Sequence, residues 1–129
     1  MPTTRFAPYA PQLLSVLRIM AGLLFLAHGT QKLLGFPMGG GAPAAMSLGW
    51  FAGVIELITG TLIALGLFTR PAAFLASGTM AFAYFIGHAP RDTYPVNNGG
   101  DAAILFCFVF LYLAAAGAGP WSVDAARRR

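Results

Sequence analysis

LLSVLRIMAGLLFLAHGTQKLLG, residues 13–35, is the stretch whose reading decides the fold. It is apolar for long enough to cross a hydrocarbon core of roughly 30 Å at 1.5 Å per residue. Yet it carries Arg18, His28, Gln31 and Lys32. At 100° per residue, Arg18, Phe25 and Lys32 fall within about 40° of one another and His28 within about 80° of Arg18, so the polar groups form one stripe. In lipid, such a stripe has to face protein, a water-filled cavity or the headgroups.

The composition supports a membrane setting. The 129 residues are 57% hydrophobic and only 9% charged, with a mean hydropathy of +0.70. A soluble domain of this size could not cover so much apolar surface with so few charges, so residues 1–129 are read as one integral membrane domain. The net charge is +4, but three of the eight basic residues are the terminal run Arg127, Arg128 and Arg129. The excess therefore describes topology rather than nucleic-acid affinity, and nucleic acid is excluded as a partner. Cys107 is the single cysteine, which excludes an intrachain disulfide and a C-x-x-C dithiol centre. A cleavable leader is not expected, because the first apolar run is too long for one and the cluster from His28 to Lys32 interrupts the approach to Ala42-Pro43-Ala44.

Three more apolar segments follow, and the predicted helices run over about 12–34, 48–68, 71–88 and 101–118. The fold class is all-α: an antiparallel bundle of four transmembrane helices. A glycine- and proline-rich loop, 35–46, turns the chain at the interface. In the second helix Gly49, Gly53, Glu56 and Gly60 share one face within about 60°, so a neighbouring helix can approach closely around an ionisable group. Thr69 is expected to cap the third helix and Pro71 to suit its first turn. The loop APRDTYPVNNGG, 89–100, is the clearly solvated one, and WSVDAARRR is expected to leave the membrane. Basic residues place both termini and Arg70 on the cytoplasmic side.

Depth says which intramembrane groups can meet. Lys32 is expected roughly 4 Å below the outer surface, His28 roughly 10 Å, Glu56 roughly 12 Å and Arg18 roughly 25 Å. His28, Gln31, Lys32, Glu56, Tyr84, His88 and Asp101 are therefore expected around one outward-facing cavity, with Arg18 at the cytoplasmic end. Acids, bases and donors within apolar walls suit a quinone, whose two carbonyl oxygens need donors and whose redox steps move protons. Plainer roles compete: snorkelling for Arg18 and Lys32, a core histidine at position 28, packing for Tyr84, an interfacial His88 and a helix cap at Asp101. An unpaired Glu56 at such depth would cost several kcal/mol, so it must be paired, protonated or wet. No pair of ligating residues has the i, i+3 or i, i+4 spacing of a helical metal motif, and no metal is expected.

In this order and spacing, LRIMAGLLFLAHGTQKLLG, FAGVIELITGTLIALGLFTRPAA, NNGGDAAILF and GPWSVD resemble the DoxX family of small four-helix membrane proteins over nearly the whole chain. The positions matching the family's recurrent polar residues are Arg18, His28, Lys32, Glu56, Arg70 and Asp101, the last where the family more often has glutamate. The resemblance implies a multi-pass protein of a bacterial-type plasma (inner) membrane, associated with quinone-linked oxidoreductase or oxidative-stress complexes.

The reading is then a quinone- or quinol-interacting subunit, with ubiquinone or menaquinone as cofactor. Glu56 and His28 would move protons; Lys32, Arg18, Gln31, Tyr84, His88 and Asp101 would bind the cofactor. No haem, flavin or iron–sulfur motif is visible, so a redox protein partner or soluble reductant would supply electrons. One alternative is a non-catalytic membrane scaffold recruiting redox proteins; another is a small permease or proton path. The small-residue faces also leave room for a homo-oligomer.

Overall fold

A computed structural model describes residues 5–36, 43 and 45–128. Most of the loop expected at the interface, and Arg129 of the terminal run, lie outside the described residues. A short 3₁₀ turn, Ala7–Tyr9, leads into α1, Ala10–Leu34. Then come α2, Leu48–Leu65, and α3, Thr69–Ala83, which continues as a wider π turn over Tyr84–His88. The single turn α4, Pro95–Asn98, precedes α5, Asp101–Ala116, and α6, Val123–Arg127. No strand occurs among the described residues.

Local chemistry accounts for the boundaries. Ser47 caps α2 by accepting the Trp50 N–H at 3.2 Å, a role serine fills well. Gly66, left-handed at φ 73°, ends α2, whose N–H returns to Leu62 and Ile63. At the far end of α3 the Ala89 N–H reaches the Tyr84 carbonyl at 2.9 Å, one residue beyond the α spacing. Thr69 does not cap α3, contrary to expectation. It is the first helical residue, and the cap is supplied from α6 by Asp124.

α1 packs along α2 and α5 along α3, while α2 also meets α3. Glycine sets the first contact: a Cβ on Gly29 would stand 2.7 Å from the Leu57 nitrogen, and one on Gly60 would stand 2.9 Å from the Leu26 Cα. The two backbones therefore touch, as small residues permit between helices in lipid. The burial pattern runs opposite to that of a soluble protein. Arg18, Glu56, Ser15, Thr59, Thr69, Ser77 and Asn98 are buried, while Leu13, Leu24, Phe74, Phe82, Leu105 and Phe108 are exposed. Such an apolar exterior is what a bilayer would cover.

Two helical segments, Ala7–Leu34 and Leu48–Leu65, are long and apolar enough to cross a membrane. α5 is apolar but shorter. The C-terminal segment does not simply leave the bundle: after Gly117 and Gly119, both at positive φ, it folds back over the ends of α1 and α2.

Candidate functional site

Glu56 shares its face of α2 with Gly53 and Gly60, the glycines that bring α1 close, so its carboxylate is delivered to α1. Lys32, in the last turn of α1, binds both of its oxygens, with Nζ 3.0 Å from Oε2. The carboxylate side chain is 1% exposed and the lysine 37%. Lys32 is thus turned inward as a partner instead of snorkelling, and its contact meets the cost of burying the Glu56 charge.

The pair borders a cavity of about 290 Å³ that also takes in His28 and His88. His28 is exposed and meets the Phe106 ring edge-on at 5.8 Å, without a hydrogen bond among the described residues. His88 lies where the π turn delivers it. Its Nδ1 is 3.2 Å from the Asn98 carbonyl, which can only accept, so this nitrogen donates and Nε2 is the one left for the cavity chemistry. Phe25, Phe106, Met80 and Ala83 supply apolar walls.

Below the cavity the rings close together. Phe25 lies 4.8 Å from Phe110 and 5.4 Å from Phe106, which stacks on Phe110 at 5.5 Å. Phe25, Phe110, Ile63 and Leu113 are fully buried, a dry layer between this cavity and the other end of the bundle.

The remaining candidates lie elsewhere. Tyr84 is not in the cavity wall: its hydroxyl accepts from the Asn98 amide at 3.1 Å, and its ring stacks on His88. Asp101 is exposed at the start of α5 and does not line the cavity, its charge suiting the helix N-terminus. Gln31 is half-buried and likewise not in the lining. The sequence reading passed over Asn98. Buried at 3% exposure, it accepts the Gly100 N–H at 2.8 Å and donates to the Asp92 carbonyl, fastening the loop that holds His88. Asn-Asn-Gly-Gly was its only signal.

Arg18 sits at the opposite end, 1% exposed. Its guanidinium donates to the carbonyls of Ala118 and, at 2.8 Å, Trp121; among the described residues Nε is buried without a partner and no carboxylate lies within ion-pair distance. Ser15, one turn before it, accepts the Trp121 N–H at 3.1 Å. Asp124 accepts from the N–H groups of Phe68 at 2.9 Å and Thr69 at 3.0 Å. Partial burial acts to raise the Asp124 pKa, but the hydrogen bonds from Thr69 and Phe68, with Arg127 nearby, outweigh it and hold the carboxyl below its ordinary value. That grip also holds Phe68 in the left-handed region, at φ 50°. Arg70 donates to the Ala115 carbonyl at the end of α5.

Known sequences bear on this arrangement. The DoxX family model matches residues 13–89. An uncharacterized protein of Haemophilus influenzae is 42% identical, over 90% of this chain and 91% of its own. The inner membrane protein YphA of Escherichia coli is 33% identical, over 92% and 93%. An uncharacterized membrane protein of Mycobacterium tuberculosis is 41% identical over 44% of this chain and 39% of its own. No solved structure matches.

Proposed function

The chain belongs to the DoxX family of membrane proteins, and for this member we propose a quinone- or quinol-binding subunit of a redox assembly. The observation that carries the reading is the Lys32–Glu56 pair at the edge of a cavity with two histidines and apolar walls. In this reading α1, α2, α3 and α5 cross the membrane with both termini in the cytoplasm. Arg5, Arg70, Arg127 and Arg128 then share the Arg18 side, in keeping with the positive-inside rule.

The residues fit a quinone. His28 and the Lys32 ammonium are free or partly exposed donors for its carbonyl oxygens, and the half-buried Phe106 offers a ring surface. When bound, the quinone would supply a two-electron, two-proton acceptor. A ligand oxygen that draws on the Lys32 ammonium would share its N–H donors with Glu56. His28 and, through Nε2, His88 would take protons from the solvated side of the cavity and pass them to the two quinone oxygens as the ring is reduced. Electrons come from a partner protein or a soluble reductant. The buried layer of Phe25, Phe110, Ile63 and Leu113 argues against a continuous polar path to the cytoplasm, and so against the permease alternative.

The test is equilibrium binding of a short-tail ubiquinone and a menaquinone analogue to protein in nanodiscs, comparing wild type with Glu56→Gln and His28→Ala. Saturable binding weakened about tenfold by either change, a loss of about 1.4 kcal/mol, is expected. No binding by folded wild type would reject the proposal in favour of the scaffold.

A further inference from the structure

We propose that the seam between α1 and α5 holds the apolar tail of the ligand whose head occupies the Lys32–Glu56 cavity, so that the ligand enters sideways from the bilayer. This rests on the functional reading above and adds a route and a second subsite to it.

The helices are paired unevenly. α1 lies close along α2 and α5 close along α3, but α1 and α5 meet sparsely. Between them runs a groove of about 330 Å³ without a polar side chain in its lining, bounded by Leu17, Met20 and Leu24 on one side and Leu105 and Val109 on the other. From Leu17 to Leu24 the helix rises roughly 10 Å, a track along the helix axis suited to a linear chain. Ala102 and Phe106 line both the groove and the polar cavity, so the two spaces adjoin.

Two further apolar grooves among the described residues lie on the exterior, and neither leads to the head site. The one between α2 and α3, from Leu48 to Phe82, has no lining residue in common with the cavity. The one between α3 and α5 has Met80 and Ala103 in common with it, but both are buried and form a closed wall. On the α1–α5 side, Ala102 is exposed and Phe106 half-buried, so the shared boundary is open. A ligand with a polar ring and a linear apolar tail matches both spaces at once, and lateral entry spares its tail any passage through water.

The experiment uses full-length protein in nanodiscs and a ubiquinone analogue with a diazirine on its tail, with adducts mapped by mass spectrometry. Adducts on Leu17, Met20, Leu24, Leu105 or Val109, competed away by excess unlabelled ubiquinone, are expected. In parallel, affinities for a tailed ubiquinone and for the ring-only 2,3-dimethoxy-5-methylbenzoquinone are compared in wild type and Leu105→Trp. The tailed-to-ring affinity ratio should fall about tenfold. Competed adducts on Phe74–Phe82 or Ala81–Phe85, or an unchanged ratio, would overturn the tail track while ring binding left the head site standing. Failure of folded wild type to bind even the ring-only quinone would overturn the functional reading itself.

Discussion

The two ends of the bundle each bury a charge, and they treat it differently. At the Arg18 end the two terminal nitrogens of the guanidinium donate to the carbonyls of Ala118 and Trp121, with Nε buried beside them, and Asp124 accepts from the first N–H groups of α3. These contacts tie the C-terminal segment to α1 and α3, and the Asp124 N–H, donating to the Gly66 carbonyl, ties it to the end of α2. At the Lys32 end the charged pair stands at a cavity, with His28 exposed and one nitrogen of His88 unclaimed by the contacts described. A buried charge whose donors end on backbone carbonyls is a fastener. One that faces space with unused donors and acceptors beside it can respond to a ligand.

The largest effect is expected at Arg18. Arg18→Met removes two charge-assisted hydrogen bonds and leaves two carbonyls without them, so we expect a loss of about 3 kcal/mol, read by unfolding in detergent. Quinone affinity of the folded fraction should stay at the wild-type level; weakened affinity there would mean that the closed end also serves the ligand.

Next in size, Lys32→Met leaves the Glu56 carboxylate buried without its cation. We expect a cost of about 2 kcal/mol at neutral pH, less than for a fully enclosed pair because Glu56 borders a cavity. Adding Glu56→Gln to this variant should restore most of the stability. A double-mutant cycle with no coupling would show that the pair does not hold the open end together.

Asp124→Asn should cost about 1 kcal/mol, the usual worth of an N-terminal cap. Because the folded pKa is depressed, this contribution is complete above the unfolded carboxyl value of about 3.9 and fades as pH falls through the lower folded value. Thermal unfolding between pH 3 and 6 should therefore show a smaller pH dependence in the Asn variant; identical profiles would remove Asp124 as a cap. The smallest stability effect is expected for His28→Ala, under about 0.5 kcal/mol since no hydrogen bond is lost. An unfolding midpoint well below wild type would make His28 a structural residue.

Most of the helices were legible because lipid imposes a single rule on long apolar runs. The expected 12–34, 48–68, 71–88 and 101–118 compare with α1 at 10–34, α2 at 48–65, α3 with its π turn at 69–88 and α5 at 101–116. Counting rise per residue put Glu56 level with His28, and the reach of a lysine side chain covers the remaining distance from Lys32. The closed end was not legible. The partners of Arg18 lie 100 and 103 residues away, beyond a turn whose two glycines take positive φ, and no periodicity points there. Asp124 likewise reaches across the chain to cap α3, the role expected of Thr69, and does so one turn earlier, at the N–H groups of Phe68 and Thr69. Asp101 and Tyr84 were placed by their positions along helices, which say less about depth in the wall than the loop contacts of Asn98 do.

The chain has two histidines, and both line the cavity at the open end. Their modification by diethyl pyrocarbonate, followed residue by residue in nanodiscs with and without a short-tail ubiquinone, therefore reports on that cavity alone. Saturating quinone should slow modification of His28 and His88 together, and Glu56→Gln should shift this protection to higher quinone concentrations. Unchanged modification of both histidines at every quinone concentration, in folded protein, would contradict the assignment of the Lys32–Glu56 cavity as the ligand site.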